Sequence, residues 1–420
     1  MTTDRYDVVV VGSGPAGSVA ALVLARGGAR VALVDKGAFP RDKACGDLVG
    51  PRGVQLLHDL GITVPGATHV GDMLVVGPRR AVRLPCRPGR TYPGHALAVP
   101  RVRFDALLHD AAVAAGADAY RGRAAAPLGD GGAVEGCVLD DGRQLRADAV
   151  VGADGAVSGV AEWAGLVDPA RVLWGFALRA YADEPVALPH IFFWEPSPWR
   201  AFPGYGWVFP GPDGRANVGL GCGVRADRAA AARAARQLPA FLADLVTRGV
   251  LTRPPATDGA ASLGGWLKLG MVGTRPAAGR VLLVGDAAGL VNPLQGEGIG
   301  QAMGSARAAA QALLEDPGRA AARYRDALAT WYVPYEAVTA PVHAAMLARP
   351  WAVSAVARTL TGPGLGRALA GGWGVFWNDL LAGATPGTPR AVAAMAQRGF
   401  DVATAGGAVR RWFRTVFAPP

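Results

Sequence analysis

The stretch DVVVVGSGPAGSVAALVLARGGARVALVD, residues 7–35, leaves the chain few folds. A run of valines at 8–11 breaks into Gly12-Ser13-Gly14-Pro15-Ala16-Gly17. An Ala/Leu-rich stretch of helical composition follows, then a second apolar run, 31–34, that ends in Asp35. Strand, tight turn, helix and strand in that order make one βαβ unit. Each glycine has a physical role. Gly12 permits the turn, Gly14 lets backbone N–H groups approach a diphosphate, and Gly17 lets the helix pack closely on the strand. The helix start offers N–H donors and a partial positive charge to an anion, and Asp35 can accept hydrogen bonds from a ribose. The segment therefore predicts dinucleotide binding, against the plainer alternative of a Gly-rich turn without a ligand.

The totals narrow the setting. With 420 residues the chain exceeds a typical single domain. Cys45, Cys86, Cys137 and Cys222 are scattered, with no CxxC pair and no His at ligand spacing. That predicts neither a metal site nor a disulfide scaffold, and fits a reducing cytoplasm. No apolar run approaches the ~18 residues a membrane span needs. The net charge of +10 is carried almost wholly by Arg, and the only lysines are Lys36, Lys43 and Lys268. The basic residues are dispersed, so no nucleic-acid partner is expected. An anionic substrate or an anionic membrane surface stays open. The basic aromatic tail VRRWFRTVF, residues 409–417, either lies on a membrane or packs back on the protein.

Read in order, the chain is expected to be α/β, with helices over 54–60, 101–115, 226–249 and 299–314. Strands or hairpins are expected over 71–84, 96–100, 134–145, 149–155, 174–182, 191–195, 204–223 and 279–286. The loop PRDKACGD, residues 40–47, could meet a phosphate through Arg41 and Lys43, or be an ordered polar loop with a buried thiol. Asp154, at the end of AVVGADG, could face a cofactor or cap the following turn. Tyr205, Trp207 and Phe209 alternate in GYGWVFP and so share one face of a strand. They either pack onto the core or form an aromatic wall for an apolar ligand.

Four separated segments together resemble the flavin monooxygenase-like superfamily with its para-hydroxybenzoate hydroxylase-type fold: GSGPAG with Asp35, PRDKACGD, GADG at 152–155, and GDAAGLVNPLQGEGI at 285–299. PRDKACGD, together with GYGWVFP and the trailing Gly219-x-Gly221, resembles the geranylgeranyl reductase family in particular. That resemblance implies a Rossmann-like FAD-binding domain in three segments (1–70, 96–170, 273–330). It implies an antiparallel-sheet substrate domain from 71–95 and 171–272, and a helical region over 331–420. FAD is the implied cofactor. Gly12, Gly14, Pro15, Ala16 and Gly17 would cradle its diphosphate, with Asp35 and Lys36 at the adenosine ribose. Arg41 and Arg101 would reach phosphate or ribityl oxygens, Asp154 and Gly155 would support the cofactor, and Gly285 and Asp286 would bind the ribityl chain. Gly296, Gly298 and Ile299 would present N–H groups to the flavin, with Cys45 and Gly46 beside the ring. Tyr205, Trp207 and Phe209 would line a prenyl channel. Leu48 and Glu297 depart from the family pattern, which commonly has a Gly after Cys-Gly-Asp and a Gly or Lys in the bend.

The implied chemistry is saturation of C=C bonds in an isoprenoid, with Cys45 and Tyr205 as the catalytic candidates. A hydroxylase, epoxidase or halogenase on the same fold is the alternative, and a non-enzymatic prenyl-binding escort is a third. No second GxGxxG follows a strand. NAD(P)H would therefore dock transiently at the FAD site, or a ferredoxin-like protein would supply electrons. The expected location is cytoplasmic, with peripheral membrane contact open.

Overall fold

The computed structural model describes residues 3–77, 79–86, 88, 92–129, 134–193, 204–225, 236–257, 262–348 and 351–363. The first sheet is built on Thr3–Val11. This strand lies parallel to Val31–Asp35 on one side and Gln144–Gly152 on the other. Asp118–Arg121 and Val281–Leu283 extend the parallel order outward. The central valines are buried on both faces, as a parallel strand covered by helices must be. The helix Pro15–Arg26 is buried almost all round, between Arg101–Ala114 and Ile299–Glu315. The last of these buries Ala302, Ala306, Ala309 and Ala310, residues small enough to let neighbouring helices approach.

The second sheet runs in the order Ser262–Leu269, Leu173–Ala182, Ala216–Arg225, Gly204–Pro210, His190–Phe192, Met73–Val76 and Ala81–Leu84. Strands from 71–84 thus join a sheet otherwise built from residues 173–269. One face is covered by the helix Leu238–Thr247, whose Phe241, Leu242 and Leu245 pack on Phe192, Val208, Val218 and Leu220. Each such buried side chain contributes about 2 kcal/mol. The other face, carrying Tyr205, Trp207 and Phe209, packs on Leu48, Val70, Ala96 and Ala98 of a small three-stranded sheet built from Leu48–Val49, Thr68–Val70 and Ala96–Ala98.

Among the described residues the expected hairpins and helices are present with shifted ends, and two differences matter for the site; residues 364–420 of the helical region expected over 331–420 lie outside them. The strand expected over 279–286 is only Val281–Leu283, and Asp286 sits in the 3-10 turn Gly285–Ala288. The strand expected to end at the Asp-Gly pair ends at Gly152. Both acids therefore stand on turns just past the strand ends. The helix expected over 226–249 falls partly outside the described residues, and Leu238–Thr247 is its described part. The tail 409–417 lies outside them altogether.

Candidate active site

The site begins where backbone alone forms the surface. Gly12 has φ of +97°, and a Cβ there would stand 2.4 Å from the carbonyl oxygen of Ala153. Gly14 is the opposite case: a Cβ would meet only Arg41 Nη2, 3.9 Å away, so the space above it is open. Helix Pro15–Arg26 starts at this opening with no side-chain cap. Asp35 closes its far side, accepting from Ser13 N–H at 2.7 Å, Gly37 N–H at 2.8 Å and Arg41 at 3.1 Å. Arg41 keeps a buried Nε with no hydrogen-bond partner. An open glycine cradle, an uncapped helix start and an unused guanidinium N–H are the features a dinucleotide diphosphate requires, so these residues fit FAD. Lys36 is exposed beyond Asp35. Asp154 accepts from Ser158 Oγ–H at 2.5 Å and from Val160 N–H at 3.1 Å. It caps the following turn, and burial pushes its carboxyl above the usual range.

The loop 45–47 is the next wall. Asp47, buried and in the left-handed region with φ of +59°, anchors it. Its carboxylate accepts from Arg101 N–H at 3.2 Å, Tyr181 O–H at 2.5 Å and Asn217 Nδ2 at 2.8 Å. The same Asn217 nitrogen donates to the Cys45 carbonyl at 2.8 Å, and Asn217 Oδ1 accepts from Trp207 Nε1 at 2.9 Å. Burial raises the Asp47 carboxyl despite these donors.

The aromatic wall explains the Gly-x-Gly that follows it. Across the hairpin Tyr205 faces Gly221, Trp207 faces Gly219 and Phe209 faces Asn217. A Cβ on Gly219 would lie 2.3 Å from Trp207 Cζ2. The glycines give the rings room to lie across the neighbouring strand, and Asn217 supplies the one polar contact on that row. Gly46 packs against the same wall, where a Cβ would come within 2.9 Å of Phe209.

The bend 285–299 closes the site. Asn292 Oδ1 shapes it by accepting from Leu294 N–H at 2.9 Å and Gln295 N–H at 3.1 Å. Tyr205 O–H donates to the Gln295 carbonyl at 2.5 Å, and burial pushes its hydroxyl well above the ordinary range. Glu297 Oε1 accepts from Gly300 N–H at 2.8 Å and so caps the helix Ile299–Glu315. Behind the turn that carries Asp286, fully buried Lys268 donates to the Ala287 carbonyl at 2.9 Å. Burial lowers its ammonium to about 8, against the pull of Asp154 and Asp286.

These walls enclose one cavity. Pro15, Cys45, Gly46, Arg101, Asp286, Gly296, Gly298 and Ile299 line it toward the cradle, and Tyr205, Trp207 and Phe209 line its side. Met73, Leu84, Phe193, Met346 and Val356 continue it as an apolar extension. Gly12, Gly14, Asp35, Lys36, Arg41 and Asp154 lie outside this lining, on the cradle side. Sequence reasoning did not select Asn217, Tyr181, Lys268 or His343. For Asn217 a signal existed: the hairpin turn at Asp213-Gly214 sets the register that pairs it with Phe209. For Lys268 none did, because Ser262–Leu269 contains two glycines and shows no alternation.

The FAD binding domain family matches residues 5–175. A menaquinone reductase of Mycolicibacterium smegmatis is 37% identical over 318 residues, covering 73% of this chain and 76% of that protein. Digeranylgeranylglycerophospholipid reductase 2 of Methanopyrus kandleri is 33% identical over 345 residues, covering 77% and 82%. The chain belongs to the geranylgeranyl reductase family of FAD-dependent oxidoreductases. The crystal structure of a geranylgeranyl bacteriochlorophyll reductase-like protein from Thermoplasma acidophilum superposes with a TM-score of 0.70 at 23% identity, over 87% of this chain and 94% of that one, so the two share a fold. In this family member no described helix is long and apolar enough to cross a membrane.

Proposed function

We propose that this oxidoreductase saturates a C=C bond in the isoprenoid chain of a lipid, with a polyprenyl quinone or a geranylgeranyl lipid as the substrate class. The observation that carries this reading is the cavity itself. It is lined by aromatic and aliphatic side chains, Tyr205, Trp207, Phe209, Met73 and Met346 among them, together with Cys45, Gly46 and Gly296. The names of the relatives support it. Gly12, Gly14, Asp35, Arg41 and the 296–299 bend would hold the flavin, which when reduced would supply the hydride.

The protein does the rest. An isolated alkene has no carbonyl to stabilise developing charge, so the bond must be held dry and close. Trp207 and Phe209 exclude water, and their faces can stabilise transient positive charge. Tyr205, with its proton committed to Gln295, holds the bend against the sheet as a positioning residue. Cys45 Sγ–H is the acid that protonates the second carbon, and burial keeps this thiol protonated at neutral pH. Electrons come from NAD(P)H docking transiently in the cavity or from a ferredoxin-like protein. Peripheral contact with a membrane would deliver the substrate.

The test is anaerobic. The FAD-loaded protein is reduced with dithionite and mixed with a polyprenyl menaquinone or, separately, a geranylgeranyl lipid. Flavin reoxidation and product mass are then followed. Reoxidation with a gain of two hydrogens is the expected result. A flavin that stays reduced until air enters, with a product that gains oxygen, overturns the reading.

A further inference from the structure

Lys268 is the one buried lysine of the three. It stands near the end of the strand Ser262–Leu269, at the edge of the second sheet. Leu267 and Leu269 on either side of it line the cavity, and the alternation of the strand turns Lys268 the other way. Its stem passes Gly289, where a Cβ would stand 3.4 Å from Lys268 Cδ. Its Nζ donates to the Ala287 carbonyl at 2.9 Å, inside the turn Gly285–Ala288 that carries Asp286. Backbone bonds continue the seam. Val291 N–H donates to the Lys268 carbonyl at 3.3 Å, Gly270 N–H to the Val291 carbonyl at 3.1 Å and Met271 N–H to the Gly289 carbonyl at 2.6 Å. Of these four bonds only that of Lys268 Nζ is made by a side chain. On the far side of the turn, Ser305 Oγ accepts from Gly285 N–H at 3.0 Å. The turn is thus held between the second sheet and the helix Ile299–Glu315.

We propose that Lys268 is a positioning residue for the cofactor: it ties the turn bearing Asp286 to the substrate sheet and so sets where that carboxylate meets the flavin's ribityl chain. This rests on the reading of the 285–299 bend as part of the flavin cradle. A four-residue 3-10 turn has few bonds of its own with which to hold a side chain to the fraction of an ångström that a cofactor contact requires. An ammonium donor grips a carbonyl more firmly than a neutral one does. Packing alone does not account for the residue. Burying an ammonium is costlier than burying an aliphatic chain of the same length, so Met would fill the space better. The tether also joins two surfaces. Leu267 and Leu269 face the cavity from the strand that, through Lys268, holds the turn.

The test measures FAD affinity rather than turnover. Wild type, Lys268→Met, Asp286→Ala and the double variant would be loaded with FAD, and its release on dilution followed by the fluorescence of free flavin. Lys268→Met is expected to weaken FAD binding about 10-fold, and the same change in the Asp286→Ala background only about 2-fold. Equal losses in the two backgrounds overturn the proposal, because a general loosening of the fold adds to the loss of Asp286 instead of overlapping with it. Unchanged FAD affinity in Lys268→Met overturns it too. If Lys268→Met yields no folded protein, Lys268→Gln, a shorter donor, enters the same cycle and is judged by the same criterion. The KM for a polyprenyl menaquinone at saturating FAD separates the turn from the strand. A KM that holds in Lys268→Met is expected, and one that rises as far as FAD affinity falls would make Lys268 a support of the cavity wall instead. The reading beneath fails separately: Asp286→Ala holding FAD as tightly as wild type removes the turn from the cradle, whatever Lys268 does.

Discussion

On the cradle side of the cavity the surface is backbone, and on the facing sheet it is side chains. At Gly12 the constraint is absolute, because the nearest atom to an added Cβ is a carbonyl oxygen in the neighbouring strand connection. At Trp207 the constraint is shared, since its ring needs Gly219 beneath it, Asn217 beside it and Gly46 opposite. A backbone surface recognises what all such cofactors have in common, namely phosphate and ribose. A side-chain surface can be rebuilt residue by residue, which is where substrate choice belongs.

The sharpest way to break this contrast is on the backbone side. Gly12→Ala places a methyl 2.4 Å from Ala153 O at a φ that L-residues avoid. The protein should emerge without its flavin absorbance, with any FAD affinity lowered by at least about 100-fold. Gly14→Ala is the control that separates folding from binding. Its methyl enters open space, so the thermal midpoint should hold while FAD affinity falls. If Gly14→Ala binds FAD as wild type does, the opening above Gly14 is not the cradle.

On the sheet side the effects should be smaller and graded. Asn217→Leu strips donors from the Cys45 carbonyl and Asp47 and leaves Trp207 Nε1 buried without a partner. Each orphaned group costs about 1–3 kcal/mol. The expected outcome is a lower thermal midpoint with FAD retained, and a rise in KM for the lipid as the wall loosens. Gly219→Ala and Gly221→Ala sharpen the point within one motif. The first must displace the Trp207 ring and the Leu178 carbonyl oxygen of the neighbouring strand, 2.3 and 2.4 Å from the added Cβ, whereas the second meets nothing closer than 3.6 Å. A KM that rises in the first with an unchanged thermal midpoint, and holds in the second, points to Trp207 as substrate wall. Equal effects would make the Gly-x-Gly a strand requirement alone.

The same contrast governs what could be read from the chain. The cradle was legible because its requirements are local: a glycine turn between strand and helix carries its meaning within six residues, and Asp35 follows at the next strand end. The aromatic wall was legible as a period of two, but not which reading of it held. That depends on what the opposite strand leaves empty, a fact of register at Gly219 and Gly221. Arg101 was singled out through a resemblance, while the partner that fills its fork, Asp105, lies one helical turn on and belongs to no motif. Lys268 and His343 left no signal. Each is polar in an apolar stretch, and only the tertiary structure shows that both are buried.

His343 gives the mildest prediction and bears on the helix Val333–Ala348, which contributes to the cavity lining. Helix Val333–Ala348 lays Glu336, Ala340, His343 and Met346 along one face over the 291–296 bend. His343 and Pro293 both line the cavity, and His343 Nε2 is buried without a partner. Burial lowers its imidazole from 6.5 to about 4. Between those values the unfolded chain takes up a proton that the folded chain refuses, so stability present above 6.5 is lost as pH falls toward 4. At pH 5 the loss is about 2 kcal/mol. Glu336, whose buried carboxyl is raised, shifts the balance in the opposite sense through the acid range, so total stability is the wrong observable. The drop in thermal midpoint between pH 7 and pH 5 should instead be compared in wild type and His343→Phe. A smaller drop in the variant shows that the helix is held in place by a neutral imidazole. Equal drops would mean that the site already admits a protonated ring, and that this side of the cavity is wetter than the wall of Trp207 and Phe209.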